Sequence, residues 1–296
     1  METWMWVMAL LLALNLKNLP LLWHFRFFRA LAAGMLVHHK SKHLYTPDHI
    51  FSPTITTTRT PLMEADFNLH KSNSTYFTDL DISRSYLAGA LLGPIFLTGI
   101  DGRRCNLIVG SVACAFRKET KIYRACESWS RIASWDDKWI YVVTHFVSPR
   151  TPASHLDVLG PGAENHAAEK QRKPAQDKTD AFPERDIIAS AVTQFVCKQG
   201  RKTVRPVYAL AASGLFDQST RPHSRCENGE PLLSDPGCNE ALRTSGRTPE
   251  LRTAVPTDIE TRRRENLPVV RLEKGWEKLN ELFKAGDVIL GRHSSI

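Results

Sequence analysis

The sequence predicts an α+β domain in which one long helix lies across an antiparallel sheet. Two observations predict it. A helical stretch carrying Leu80, Leu87 and Leu91 is followed by a run of strand-like segments with no second long helix among them. One of those segments, Trp139 to Val147 (WIYVVTHFV), is almost wholly apolar and aromatic, as suits a central strand of the sheet. Of the 296 residues 42% are apolar, enough for a core but unevenly spread, so one ordered domain smaller than the chain is expected.

Residues 3–16 (TWMWVMALLLALNL) form an apolar run that Lys17-Asn18 interrupts and Leu19 to Trp23 resume. Residues 1–23 are therefore expected to form a hydrophobic membrane anchor, about long enough for a transmembrane helix, although a lysine near the middle is costly there. A helix in the membrane plane and a buried soluble helix are the alternatives. Glu2 stands where a cleaved signal peptide carries basic residues, and no small-x-small site follows. His24, Arg26, Arg29, Lys40 and Lys42 come next, and the positive-inside rule then leaves the domain facing the cytosol, with the endoplasmic reticulum as a candidate membrane. Residues 24–55 are expected to be a lead-in: a juxtamembrane helix ending near Gly34, then irregular chain. His38, His39 and His43 match no metal-ligand spacing and are expected at the solvated surface.

The folded domain is expected over residues 56–216. Thr54 to Thr58 (TITTT) favours a strand. Ala65 to Leu69 is expected extended, His70 to Thr75 a polar turn, and the long helix starts near Asn73–Thr75. Gly93-Pro94 marks its end or a kink. Asn106 to Arg117, Tyr123 to Trp135, Trp139 to Val147 and Ile187 to Lys198 are the strands, with Asp136-Asp137-Lys138 as a hairpin turn. Gly200-Arg201-Lys202 turns the chain, and Val207 to Phe216 is a short helix. Pro149 to Arg185 holds five prolines and one aromatic; Asp217 to Pro268 holds six prolines and none. Both are expected to be flexible. Leu272, Trp276, Leu279 and Phe283 recur at helical spacing, so 269–296 is expected to carry a C-terminal helix stopped by Gly286.

The net charge of +8 is scattered, without the aromatic-interleaved basic stripe of a nucleic-acid groove. It fits an anionic membrane surface or a nucleotide phosphate. The six cysteines form no CxxC pair, which disfavours a zinc ribbon, and suit a reducing compartment. Walker A, GxGxxG, HExxH and GxSxG motifs are all missing; Ala211-Ala212-Ser213-Gly214-Leu215 lacks the first glycine of the last. No cofactor or metal is expected.

That leaves the polar cluster around Asp66. A carboxylate beside a helix start can act as a general base toward water or as a nucleophile. The first amides of the helix have no intrahelical partner and could receive a developing oxyanion. Ser72, Asn73, Ser74 and Thr75 could equally just cap the helix.

Asp66 to Phe77 (DFNLHKSNSTYF) resembles the D-x3-H-x-N-N-x2-Y motif of hotdog-fold thioesterases of the 4-hydroxybenzoyl-CoA thioesterase type. The surroundings, with WSRIASWDDKWIYVVTHFV and the Gly200 turn, are similar to fungal and animal thioesterase-like proteins with an N-terminal hydrophobic segment. The resemblance covers about Thr56 to Phe216 without the Pro149–Arg185 segment. It implies a hotdog fold and a homodimer with its active site between subunits. It makes Asp66 the catalytic carboxylate and the Asn73 amide the oxyanion donor. His70 and Tyr76 would shape the turn and the pocket wall, and Ser72 replaces the first asparagine of the pair. Arg201 and Lys202 could contact coenzyme A phosphates, or stand as a solvated turn. The implied activity is hydrolysis of an acyl-CoA or carrier-bound acyl thioester. The alternative is a catalytically silent, membrane-tethered binding or assembly protein. Asn73-Ser74-Thr75 is also the one N-x-[ST] sequon of the chain, and a glycan there would block the site.

Overall fold

The computed structural model describes residues 2–41, 45–149, 187–216, 255–273, 275–282 and 288–294. Helices are α1 (Glu2–Leu14), α2 (Leu22–Ser41), α3 (Thr75–Leu97), α4 (Pro206–Ala212) and α5 (Thr257–Val270). Strands are β1 (Thr54–Arg59), β2 (Asn106–Phe116), β3 (Ala125–Trp135), β4 (Trp139–Val147), β5 (Ile187–Gln199), β6 (Lys202–Val204) and β7 (Gly291–Ser294). They form one sheet in the order β2-β5-β4-β3-β1-β7, with β6 paired to β5 off that path. All pairs are antiparallel except β1 with β7. The β3–β4 hairpin closes because Asp136 Oδ1 accepts the amides of Lys138 (2.8 Å) and Trp139 (2.7 Å). β4 is central, as its composition predicts.

The sheet wraps one face of α3, an α+β arrangement. Leu87, Leu91 and Ile95 join Ile132, Ile140 and Val142 of the strands in one core, and Leu80 joins Phe146 in another. α3 is buried almost all round because α2 crosses its other side. The crossing is a glycine contact. A Cβ on Gly34 would lie 2.3 Å from the Tyr86 carbonyl oxygen, and one on Gly89 2.3 Å from that of Leu31. Arg26, Ala30 and Gly34 supply the buried stripe of α2 at one-turn spacing. Gly34 is thus a packing residue, not a stop, and α2 continues to Ser41.

α3 also runs through Pro94 instead of ending there. Proline has no N–H for the Ala90 carbonyl one turn earlier. Tyr45 donates its hydroxyl to that oxygen at 3.0 Å, and His38 Nδ1 approaches it at 2.9 Å. His38, expected at the solvated surface, is part of this repair.

The opposite face of the sheet is covered by the C-terminal part of the chain. Val269, Val270, Leu279, Leu282 and Ile289 pack on Ile55, Trp129, Tyr141, Val143 and Val147. This corrects two expectations. Thr257–Val270 is a helix, although it lies in the stretch expected to be flexible through Pro268. In place of one C-terminal helix, Glu277–Leu282 is a 3-10 helix and Gly291–Ser294 is strand β7. The apolar second face of β3 and β4 needs a cover, and short aliphatic clusters supply it without helical periodicity. The expected flexible segment Pro149–Arg185 beyond its first residue, most of 217–256, and Phe283 with Gly286 lie outside the described residues.

The apolar run at the start is broken. α1 stops at Leu14, and a 3-10 turn at Leu16–Asn18 carries Lys17 inward. Among the described residues no helix is long and apolar enough to cross a membrane, so the spanning anchor expected over 1–23 is not found.

Candidate active site

Ala65 to Leu69 is not a strand but one limb of a tight turn. Ala65 bridges Lys71, the Asp66 amide donates to the His70 carbonyl (2.8 Å), and Leu69 adopts φ 59°. The Asp66 side chain builds this turn: its Oδ1 accepts the amides of Asn68 (2.9 Å) and His70 (3.0 Å). Among the described residues Oδ2 has no hydrogen-bond partner. Asp66 is half-buried, while Phe67 and Leu69 at the tip are exposed.

The chain then enters α3. The Ser72 amide donates to the Glu64 carbonyl (2.8 Å), Ser72 Oγ meets Ser74 Oγ (3.1 Å), and Thr75 Oγ1 donates to the Ser72 carbonyl (2.7 Å). Ser74 stands at the N-cap but makes no capping bond with its side chain. These polar side chains bind one another and the turn, and of the first-turn amides Thr75 donates to the Ser72 carbonyl (3.0 Å) and Phe77 to that of Ser74 (3.3 Å). Asn73 is exposed directly before them.

His70 Nε2 lies 3.3 Å from Glu119 Oε2. Both line a cavity of about 130 Å³ with Thr120, Lys121, Arg124, Ser148 and Ile188. Tyr76 stands behind that wall. Its ring is buried against Phe116 and Phe146, and its hydroxyl meets Thr120 Oγ1 at 3.0 Å. Burial pushes that hydroxyl up to about 12. Tyr76 therefore reaches the cavity only through Thr120. Arg201 and Lys202 are exposed at the turn after β5. Ile188, on the cavity, begins the same strand, and roughly 12 residues at about 3.3 Å separate the two ends by about 40 Å. Within one chain the structure does not bring these cations to Asp66.

One feature beside the site escapes the sequence. Glu64 and Asp79 are buried and share two cations, and a third meets Asp79 alone. Lys17 Nζ is 2.9 Å from Glu64 and 2.8 Å from Asp79, Lys71 Nζ is 2.7 Å and 2.9 Å from them, and Arg26 is 3.4 Å from Asp79. Thr58 Oγ1 adds a bond to Asp79 at 3.3 Å. Burial alone would raise Asp79, but Lys17, Lys71 and Arg26 outweigh it and hold the carboxyl well below the usual range. Burial alone would lower Lys71; Asp79 and Glu64 outweigh it and raise the ammonium. The lone lysine in the apolar run was the available signal, since a charge there demands a partner.

A carboxylate turn at the start of one long helix, with an antiparallel sheet wrapped around that helix, is the arrangement expected of a hotdog-type thioesterase-like protein. The chain belongs to a family of fungal thioesterases. It is 34% identical over 247 residues to "Thioesterase poxG" of Penicillium oxalicum, covering 78% of this chain and 77% of that one. It is 32% identical over 230 residues to "Probable thioesterase atnL" of Emericella nidulans, covering 69% of each. No family model matches the chain. Among solved structures, the probable thioesterase YbaW from Escherichia coli superposes on 55% of this chain and 96% of its own, at 14% identity and a TM-score of 0.36. A superposition at that score adds nothing to the architecture described above.

Proposed function

We propose that the chain hydrolyses an acyl thioester carried by coenzyme A or a carrier protein, with Asp66 as its catalytic carboxylate. Relatives named as thioesterases support the reaction class. The observation that carries the residue assignment is the division of labour on Asp66: Oδ1 holds the turn, while Oδ2 is free to accept a proton. In the general-base route Oδ2 takes a proton from water as the water oxygen attacks the thioester carbonyl. The Asn73 amide, at the positive end of α3, receives the oxyanion. When the tetrahedral intermediate collapses the C–S bond breaks, and the leaving thiolate takes the proton from Asp66. In the nucleophilic route Oδ2 attacks the carbonyl, the C–S bond breaks and the thiolate leaves; water then opens the acyl anhydride to the acid and the Asp66 carboxylate, and its proton goes to the thiolate. His70, tied to Glu119, shapes the adjoining wall.

The proposed assembly is a homodimer. Among the described residues β2 is an open edge of 11 residues with Ile108, Val109 and Phe116 exposed, a surface that invites strand pairing. Antiparallel pairing of two β2 strands would set the Asn106 end of one beside the Phe116 end of the other. Asn106 pairs Lys198, close to the Arg201–Lys202 turn. A second copy would thus carry those cations toward the first copy's cavity, where they could meet coenzyme A phosphates. A bare Asn73 requires the domain to face the cytosol, and a glycan found there by mass spectrometry would refute that placement.

Asp66→Asn is the decisive variant, because asparagine keeps the Oδ1 acceptor and hence the turn. Release of free thiol from acyl-CoA substrates is expected to fall by about 100-fold or more; unchanged turnover would remove Asp66 from the mechanism. The second reading, a silent binding protein, is favoured by Ser72 in place of the first motif asparagine. It would be upheld by wild-type silence across short, medium, long and aromatic acyl groups. Val109→Lys is expected to yield monomers by sedimentation and to lose activity with them; an active monomer would refute the shared site.

A further inference from the structure

We infer that α1 is seated in one leaflet of a lipid bilayer and holds the Asp66 turn at the membrane surface, so that the substrate is a long-chain acyl thioester partitioned into that membrane. The substrate clause rests on the thioesterase proposal above; the membrane seat does not.

The first ground is the exposure of α1. Every residue from Thr3 to Leu14 is exposed, including Trp6 at 75% and Leu10 at 59%. The apolar surface runs around the whole helix. A protein groove or a second copy covers one face, whereas lipid surrounds a helix on all sides. The second ground is length. Thirteen residues rise only about 20 Å, against about 30 Å of hydrocarbon, which fits entry from one side without crossing.

The third ground is how α1 is rooted. Asn15 Nδ2 donates to the Leu11 carbonyl (2.9 Å), and its Oδ1 accepts the Met63 amide (2.8 Å). Tyr123 donates its hydroxyl to the Leu14 carbonyl (3.4 Å), and Lys17 is locked into the buried charge cluster. The helix therefore leaves the domain at a fixed place. That place adjoins the site: Lys121 and Arg124, which flank Tyr123, line the cavity with His70, and Met63 lies just before Glu64 and Asp66. Around the root stand an exposed tyrosine and exposed cations, the side chains that a headgroup region attracts. Phe67 is 93% exposed and Leu69 58%, so the tip of the catalytic turn itself presents apolar surface.

The test uses the full chain with phosphatidylcholine vesicles, with and without phosphatidylserine. The wild type is expected to sediment with vesicles, more strongly when phosphatidylserine is present, and its tryptophan emission to shift to the blue. Leu10→Asp changes an exposed side chain, so the fold persists, and vesicle affinity is expected to drop roughly 100-fold. Wild-type protein left in the supernatant, or a variant that sediments equally well, overturns the membrane seat. So does a variant that only loses self-association, which would assign α1 to a second copy. Turnover supplies the substrate arm: Leu10→Asp is expected to keep its rate on a soluble short-chain acyl-CoA and lose at least about tenfold on a long-chain acyl-CoA presented in vesicles. Equal rates on both refute the substrate clause. A wild type inactive on both refutes the hydrolysis proposal and this clause together, and the vesicle readout still decides the membrane seat.

Discussion

Glu64 and Asp66 stand two residues apart and meet opposite surroundings. Glu64 is buried and receives Lys17 and Lys71, and through those lysines it is joined to Asp79 on α3. Asp66 is half-buried, is held by two backbone amides on one oxygen, and has no cation beside it among the described residues. The difference separates two uses of a carboxylate. A carboxylate met by two lysines in the interior ties together α1's root, the turn and α3, and Arg26 of α2 joins through Asp79. A half-buried carboxylate bonded through one oxygen shapes its own turn, and on the proposal above its other oxygen is the one that reacts.

Breaking the buried side should have the largest effect. Asp79→Ala leaves Lys17, Lys71 and Arg26 facing an empty position, and a loss of about 3–5 kcal/mol of stability is expected in urea titrations. A loss under about 1 kcal/mol would show that water or a shifted side chain replaces the carboxylate. Asp66→Asn should invert the pattern. Its stability is expected to stay within about 1 kcal/mol of the wild type while its thioester turnover collapses. A large fall in Tm for that variant would mean that Asp66 serves the fold as Glu64 does, and the contrast would fail.

The smallest effect is the pH dependence. Asp79 is held low in the folded state, so its contribution is present above the unfolded carboxyl range near pH 4 and is lost as pH falls below it. Lys71 is held high, so its contribution is present below about pH 10 and is lost as pH rises further. Stability supplied by the cluster is therefore expected to be flat through neutrality, as thermal melts across pH would show. A steep change between about pH 6 and 8 would place the controlling charge elsewhere; the buried His145 would instead cost stability as pH falls from about 6.5 toward 4. Burial lowers its imidazole to about 4.

Much of the fold was legible locally. Trp139 to Val147 is apolar enough to be central, and it is β4 residue for residue. The Asp136 turn, the strands from Asn106 onward and the helix start near Thr75 also follow from short-range patterns. The failures share a cause. Gly93-Pro94 reads as an end, yet Tyr45 and His38 rescue the orphaned Ala90 carbonyl from far away in sequence. Ala65 to Leu69 alternates like a strand, yet Asp66 folds it back through its own side chain. α5 lies in a proline-bearing, aromatic-free stretch and is ordered by the sheet face it covers. At the site, Asp66, His70 and the helix start come together as the motif suggests, while Tyr76 turns into the core and the Arg201–Lys202 turn lies at the far end of β5.

By itself the sequence determined the strands β1 to β5, the start of the helix that follows the Asp66 motif and the family to which the chain belongs. Hydrophobic period, turn chemistry and a contiguous motif act over a few residues and survive without a fold. Only the tertiary structure decided which charges are structural. Lys17 finds Glu64 47 residues away and Asp79 62 residues away. A buried ion is tolerable only where its partners converge. No local pattern encodes that convergence, and it separates the carboxylates that hold this fold from Asp66, which makes no ion pair among the described residues.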